Sequence, residues 1–356
     1  RRPAEAAAPA PVAVVVVVPA PVAAVGGGEG TMLTRTFGVA LALLLAIGPA
    51  MAQTAADSPA GTTSTAPEQA SQPRPPQAFR TPEAGFAALA DAARQPTRGA
   101  ISRVLGDAGA RLLRSGDAVS DRAALARFAQ AYAARHEILR PSDNRAELRV
   151  GEDGWLLPIP MLRRDGMWRF DARQGAQAIA DRRIGQNELD AIETLRAIAD
   201  AQDDFARSAG RQGVFRAYAR RLFSSPGQRD GLFWPTEPGE SPSPLGPLAA
   251  AASAGGYARG GRGDEPQPYH GYFFRILEAQ GPHARGGEID YVVNGRMIGG
   301  FAVIAWPARH GVSGIQTFMI SHHGTVYERN LGPDTARIAR AITEFDPGPG
   351  WNAVAE

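Results

Sequence analysis

Along this chain the spacing of apolar residues changes repeatedly, and each change predicts a different element. From Phe79 the spacing is helical: Thr81-Pro82-Glu83 reads as a helix start, with Thr as N-cap and Pro in the first turn. Phe86 and Leu89 mark the buried face to about Arg94. A second helical stretch runs from Ala100 to Leu105. Ser115-Gly116-Asp117 is a turn, after which Ser120 or Asp121 caps a helix through Arg135 with Leu125, Phe128 and Tyr132 on one side. The pattern then switches to strands at Ala146 to Val150, Trp155 to Met161 and Met167 to Asp171. Asp153-Gly154 and Asp165-Gly166 supply the reversals of an antiparallel meander.

Helical spacing returns between Asn187 and Ala206, a stretch free of Gly and Pro. Leu189, Ile192, Leu195, Ile198, Ala199 and Phe205 form its apolar face, opposite Asp190, Glu193, Arg196, Asp200 and Asp203. Tyr218 to Phe223 extends the helical character. A Pro/Gly-rich region from Ser225 to Pro268 follows, regular only near Leu248 to Ala252. Strands are expected at Tyr272 to Leu277, Asp290 to Val293, Phe301 to Trp306, Thr317 to Ser321 and Thr325 to Glu328. Asn294-Gly295 and His323-Gly324 stand at hairpin turns, and Thr335 to Phe345 closes the chain as a helix. Helices and strands are grouped rather than alternating, so the fold class is α+β. Helices plus an antiparallel meander occupy 79–184, and a long helix packed on an antiparallel sheet with a closing helix occupies 185–351.

The segment ahead of Phe79 reads differently. Met32 to Arg35 is a short basic start, Phe37 to Ile47 an apolar run, and Ala50-Met51-Ala52 a small-x-small site: a secretory signal peptide over 32–52, cut near Gln53. The run is too short to cross a hydrocarbon core of about 30 Å, which takes about 20 helical residues. Residues 1–31 precede this leader and are read as a non-native upstream extension, with a disordered extension or a longer export signal as the alternatives. Residues 53–78, rich in Ala, Ser, Thr, Pro and Gln, are read as a disordered linker. The expected location is periplasmic or secreted.

Composition narrows the chemistry. Cys is 0, so disulfides, thiol chemistry and a lipid-anchored lipoprotein are excluded. All 38 of the Lys+Arg residues are Arg, which excludes Schiff-base lysines, a Walker-type lysine and a Ser-Lys dyad. A net charge of +2, with Arg interspersed among Asp and Glu, does not make a nucleic-acid footprint. His322-His323, His270, His283 and His310 lack metal-ligand spacing, and Gly-x-Ser-x-Gly is absent, so neither a metal, a cofactor nor a hydrolase serine is assigned. The glycine-rich loop with Arg259 and Arg262 lacks the strand, helix and Lys of a phosphate cradle. Arg229-Asp230-Gly231 with Phe233-Trp234 remains: an Arg beside aromatics recognises carboxylate or carbohydrate through its donor fork and by stacking, and an internal Arg–Asp pair pinning the loop is the competing reading. Arg182-Arg183 reads as an ion-pairing start of the long helix.

Two resemblances rest on residues already quoted. Ser115-Gly116-Asp117, Trp155 to Pro160, Trp168 to Asp171, Arg182 to Leu189, Pro226 to Pro235, Ser243 to Pro247, His270 to Phe273, Asn294 to Phe301 and Val326 to Glu328 resemble an exported bacterial family known as domain of unknown function 2950. That likeness implies no activity. Asn187-Glu188, Ile192, Leu195-Arg196 and Ala201-Gln202, with Gly271 to Phe274, Ala305 to Pro307, Gly314 to Phe318 and Gly324 to Val326, are similar to the globular domain of type IV pilins and pseudopilins. The likeness implies that fold without the hydrophobic half-helix and cleavage motif of the family. The resulting expectation is a non-enzymatic binding or structural protein of the bacterial cell envelope, with an envelope protein or glycan as partner and no membrane span after signal cleavage. Its candidate binding residues are Arg229, Asp230, Trp234, His270 and Tyr272; the alternative is an envelope-polymer hydrolase using Asp230, His270 and Asp290.

Overall fold

The computed structural model describes residues 73–97, 99–212, 215–237, 239–257 and 267–355. The upstream extension, the leader, residues 53–72 of the linker, and Arg259 and Arg262 lie outside them.

Three helices open the described chain: α1 (Pro82–Arg94), α2 (Ala100–Leu112) and α3 (Ala118–Ala134). Thr81 caps α1 as expected, its hydroxyl accepting from Ala84 N at 3.2 Å. Helix α2 outruns its expected end at Leu105 because the backbone passes through Gly106 at φ +70 and then resumes. A side chain there would strike the backbone of Arg74 to Pro76 at 2.8–3.0 Å. The cap of α3 is Asp117, not Ser120 or Asp121; the Asp121 carboxylate turns back to accept from Ser115 N through both oxygens.

The first sheet holds β1 (His136–Ser142), β2 (Arg145–Val150), β3 (Trp155–Leu156), β4 (Met161–Arg164) and β5 (Met167–Phe170). Its antiparallel order is β1-β2-β4-β5, with β3 also on β2. Strand β1 was not expected: it is an edge strand without a buried position, so no apolar alternation betrays it. The expected strand from Trp155 to Met161 is interrupted by Leu157 to Pro160. Asp165 (φ 53) and Gly166 (φ 74) make the tight reversal that Asp-Gly announced. Phe86, Leu105, Leu148, Met161, Trp168 and Phe170 form the core under this sheet.

Helix α4 (Ala172–Arg207) joins the two halves. It begins well before Asn187, capped by Asp171, whose carboxylate accepts from Arg173 N at 3.2 Å. Gly175, which obscured this start in the sequence, lets the helix lie against Pro158, whose carbonyl oxygen would be 2.5 Å from an added Cβ. The 184/185 position therefore falls inside a continuous helix. Ala172 and Ile179 belong to the first core, and Ala191, Leu195, Ile198 and Phe205 belong to the second.

Beyond α4 come β6 (Arg211–Gln212), β7 (Phe215–Arg216) and α5 (Gly246–Ala254), then β8 (Tyr272–Leu277), β9 (Ala279–Gln280), β10 (Ile289–Asp290), β11 (Val292–Val293) and β12 (Arg296–Met297). The chain closes with β13 (Ala302–Pro307), β14 (Gln316–Ser321), β15 (Val326–Asn330), α6 (Thr335–Ala341) and β16 (Asn352–Ala353). Tyr218 to Phe223 is not helical; Tyr218 bridges Met297 and Phe223 bridges Phe233. The second sheet is antiparallel in the order β16-β15-β14-β13-β8. Helix α4 packs on β13 and β14, and α6 also packs on β13. Coverage by helices explains why β13 is buried at every position instead of alternating. The molecule is α+β with the helix-then-sheet arrangement expected. Among the described residues no helix is long and apolar enough to cross a membrane.

Candidate functional site

Where the three-helix layer, α4 and the second sheet meet, one buried carboxylate organises the backbone. Asp117 is 1% exposed. Its Oδ1 accepts from Val119 N and Ser120 N, both at 3.0 Å, which is the α3 cap. Its Oδ2 accepts from the Tyr257 hydroxyl at 2.7 Å and from Gly271 N at 3.1 Å. Tyr257 in turn accepts from His270 N at 3.2 Å. Burial, with the Asp117 charge and hydrogen bond, holds the Tyr257 hydroxyl far above its ordinary pKa, so it stays a donor.

Helix α4 presents its own pair to the same junction. Asn187 Nδ2 donates to Ser313 O at 2.8 Å, and Glu188 Oε1 accepts from Ile315 N and Gln316 N at 2.8 and 2.9 Å. Gly271, at φ +75, passes so close to Asn187 that an added Cβ would lie 2.6 Å from Nδ2. Next to it His270 sits in the left-handed region at φ 47, unusual for a side-chain-bearing residue. Its Nδ1 is 3.1 Å from Asp190 Oδ2, and Asp190 Oδ1 accepts from Gln186 Nε2 at 2.9 Å. Burial alone would raise the Asp190 pKa; the hydrogen bonds from His270 and Gln186 outweigh it and hold the carboxyl below its usual range. The His270 ring stands edge-on to Tyr269, centroids 4.3 Å apart, and its side chain is 36% exposed. With Nδ1 turned to Asp190, the outer nitrogen Nε2 has no hydrogen-bond partner among the described residues.

The family model described as "Protein of unknown function (DUF2950)" matches residues 76–354. The chain belongs to this family. No curated protein and no solved structure matches it. The pilin likeness therefore rests on sequence alone and carries nothing further. In this DUF2950 chain, Ser115-Gly116-Asp117, Asn187-Glu188 and His270-Gly271-Tyr272, far apart in sequence, share the junction just described.

The sequence-derived candidates divide between two places. Arg229 and Trp234 do meet: the Arg229 guanidinium lies 5.4 Å from the Trp234 ring centroid. The ring is buried, however, so it serves as a floor and not as a free stacking surface. Asp230 does pair with an arginine, but with Arg221 at 3.6 Å, while Arg229 faces Glu240 at 3.6 Å. Asp230 also accepts from Ser225 N and Oγ at 2.7 and 2.8 Å. Tyr272, a candidate binding residue, is fully buried and donates to Gln316 O at 2.9 Å. Asp290 accepts from Val292 N within its own turn. Asp230, His270 and Asp290 thus engage three different partners and make no bond to one another.

Asp117, Asp190 and Tyr257 were not foreseen. A lone Asp in a Ser-Gly-Asp turn signals a cap, which Asp117 is, but its bonds to residues 140 and 154 positions later leave no local trace. Arg182 and Arg183 lie within α4 instead of starting it: Arg182 stacks 5.4 Å from the Trp155 ring centroid, and Arg183 Nη2 donates to Leu112 O. His322 follows β14 and packs against Tyr291 and Phe301. Among the described residues no group of three His, Asp or Glu is placed to hold a metal ion.

Proposed function

We propose that this DUF2950 protein is exported and acts in the bacterial cell envelope as a non-enzymatic binding or structural protein, engaging an envelope protein or glycan through the region 225–272. One observation carries the reading: Arg229 is stacked over Trp234 while its own side chain stays 61% exposed. The stack orients the donor fork, and Glu240 at 3.6 Å is too distant to saturate it. The loop beneath is already organised, with Leu232 N donating to Arg221 O, Phe233 N to Leu222 O and Leu245 N to Leu232 O at 2.9–3.0 Å. An organised loop loses little entropy when it binds.

The test is capture from native envelope fractions on the immobilised mature protein. A specific protein or glycan is expected to be retained, and Arg229→Ala to weaken it about tenfold, the loss typical of one anchoring Arg, with an unchanged melting curve. Retention of nothing specific, or retention that Arg229→Ala leaves untouched, would remove this reading.

A second reading keeps acid–base chemistry but not the original trio. The exposed Nε2 of His270, backed by Asp190, has the arrangement of a general base positioned by a carboxylate. If it acts so on envelope polymers, His270→Gln abolishes turnover and Asp190→Asn reduces it about 100-fold or more, within the range that general-base catalysis supplies. Absence of any product from purified envelope polymers by mass spectrometry would eliminate this alternative.

A further inference from the structure

A cavity of about 410 Å³ lies between the end of α6, strands β14 and β15, and the C-terminal segment. That volume is within the range of small-ligand sites, and Met319, Leu331, Ile338 and Trp351 give it an apolar side. Three charged side chains also line it, Arg329, Glu344 and Asp346. Arg329 is exposed and makes no ion pair; its Nη1 donates only to Pro349 O, at 3.3 Å. Its guanidinium is held along the backbone at Gly350, where an added Cβ would come within 3.2 Å of it. Glu344 has neither a hydrogen bond nor an ion pair with any described residue. The neighbouring Asp346 carboxylate, by contrast, is already taken by His283 N and Nδ1.

The walls are built in advance. Arg275, 5% exposed, reaches under α6 and donates to Ala339 O, Arg340 O and Ile342 O. Those carbonyls cluster at the C-terminal end of α6, where a cation is favoured. The α6 wall is thereby held to β8 whether or not anything fills the cavity.

An unpaired cation and an unpaired anion on one cavity with a partly apolar wall, not bonded to each other, are complementary to a molecule carrying both charges around an apolar body. We propose that this cavity binds a small zwitterion with an apolar side chain, an α-amino acid or a short unblocked peptide. Its carboxylate meets the Arg329 fork, its ammonium meets Glu344, and its side chain lies against Leu331, Ile338 and Trp351. This site is separate from the Arg229 loop, so it stands or falls independently of the function proposed above.

The experiment is isothermal titration of the full chain with leucine, leucyl-leucine, and leucine blocked at both ends by acetyl and amide groups. Saturable binding of at least one unblocked compound is expected, the stronger of the two identifying free amino acid or peptide as the ligand. The doubly blocked compound is expected to bind at least about tenfold more weakly, and Arg329→Gln and Glu344→Gln each to weaken the unblocked ligand about tenfold or more. Both positions are exposed, so unchanged melting curves should accompany the loss. Absence of binding by both unblocked compounds, equal binding of the blocked one, or indifference to both substitutions would each overturn the proposal.

Discussion

Asp117→Ala is expected to remove about 3–5 kcal/mol of unfolding free energy, the size of loss seen when a buried, hydrogen-bonded charge network is broken. The carboxylate is acceptor for four donors at once: Val119 N, Ser120 N, Tyr257 Oη and Gly271 N. Losing a cap alone costs about 1 kcal/mol. The larger part comes from the Tyr257 hydroxyl and Gly271 N, which lose a charged acceptor in a place where water does not readily replace it; an unsatisfied buried donor costs about 1–3 kcal/mol. Tyr257→Phe removes one of these bonds and should cost about 1–2 kcal/mol by the same reasoning. Urea unfolding checks both, with a lower midpoint at an unchanged slope. A loss below about 1 kcal/mol for Asp117→Ala would mean that the junction does not depend on this carboxylate.

Gly271→Ala is expected to cost about 3 kcal/mol or more through two separate penalties. A left-handed backbone at φ +75 disfavours a Cβ by about 1–2 kcal/mol. The added Cβ would also stand 2.6 Å from Asn187 Nδ2 and 3.0 Å from Ser313 Cβ. Asn187 is 5% exposed and bonded to Ser313 O, so it has nowhere to swing without leaving that carbonyl unpaired. The strain falls next to His270 and should disturb its pairing with Asp190, which NMR of the imidazole resonances would detect. Denaturant unfolding gives the stability change, and wild-type stability would show that the α4 contact gives way easily.

Several elements were readable from local chemistry. Thr81-Pro82 announced α1 because the cap and the first-turn proline act within one turn. Asp165-Gly166 and Asn294-Gly295 announced reversals, and all four residues have positive φ. The strands β8, β13, β14 and β15 appeared within a residue or two because their apolar runs are short and bounded by turns. Other elements were hidden for equally physical reasons. Strand β1 lies at an edge with no fully buried residue, so nothing in its spacing marks it. The first half of α4 carries Gly175 and Gly185, which argue against a helix locally, and tertiary packing against Pro158 overrides them.

The candidate site divides along the same line. The pairing of Arg229 with an aromatic neighbour could be read because five residues of chain keep them close. The exchange of ion partners to Glu240 and Arg221 could not, since charges choose partners by distance in the folded state. Sequence alone determined the α+β class, the grouping of helices before sheet, a composition without Cys or Lys, and membership of the family, all properties of residue type and local spacing. Only the tertiary structure decided that Tyr272 is an internal anchor, that His270 belongs with Asp190, and that Asp117 ties together segments 154 residues apart. Hydrogen bonds form over about 3 Å, and which groups come that close is set by packing of the whole chain.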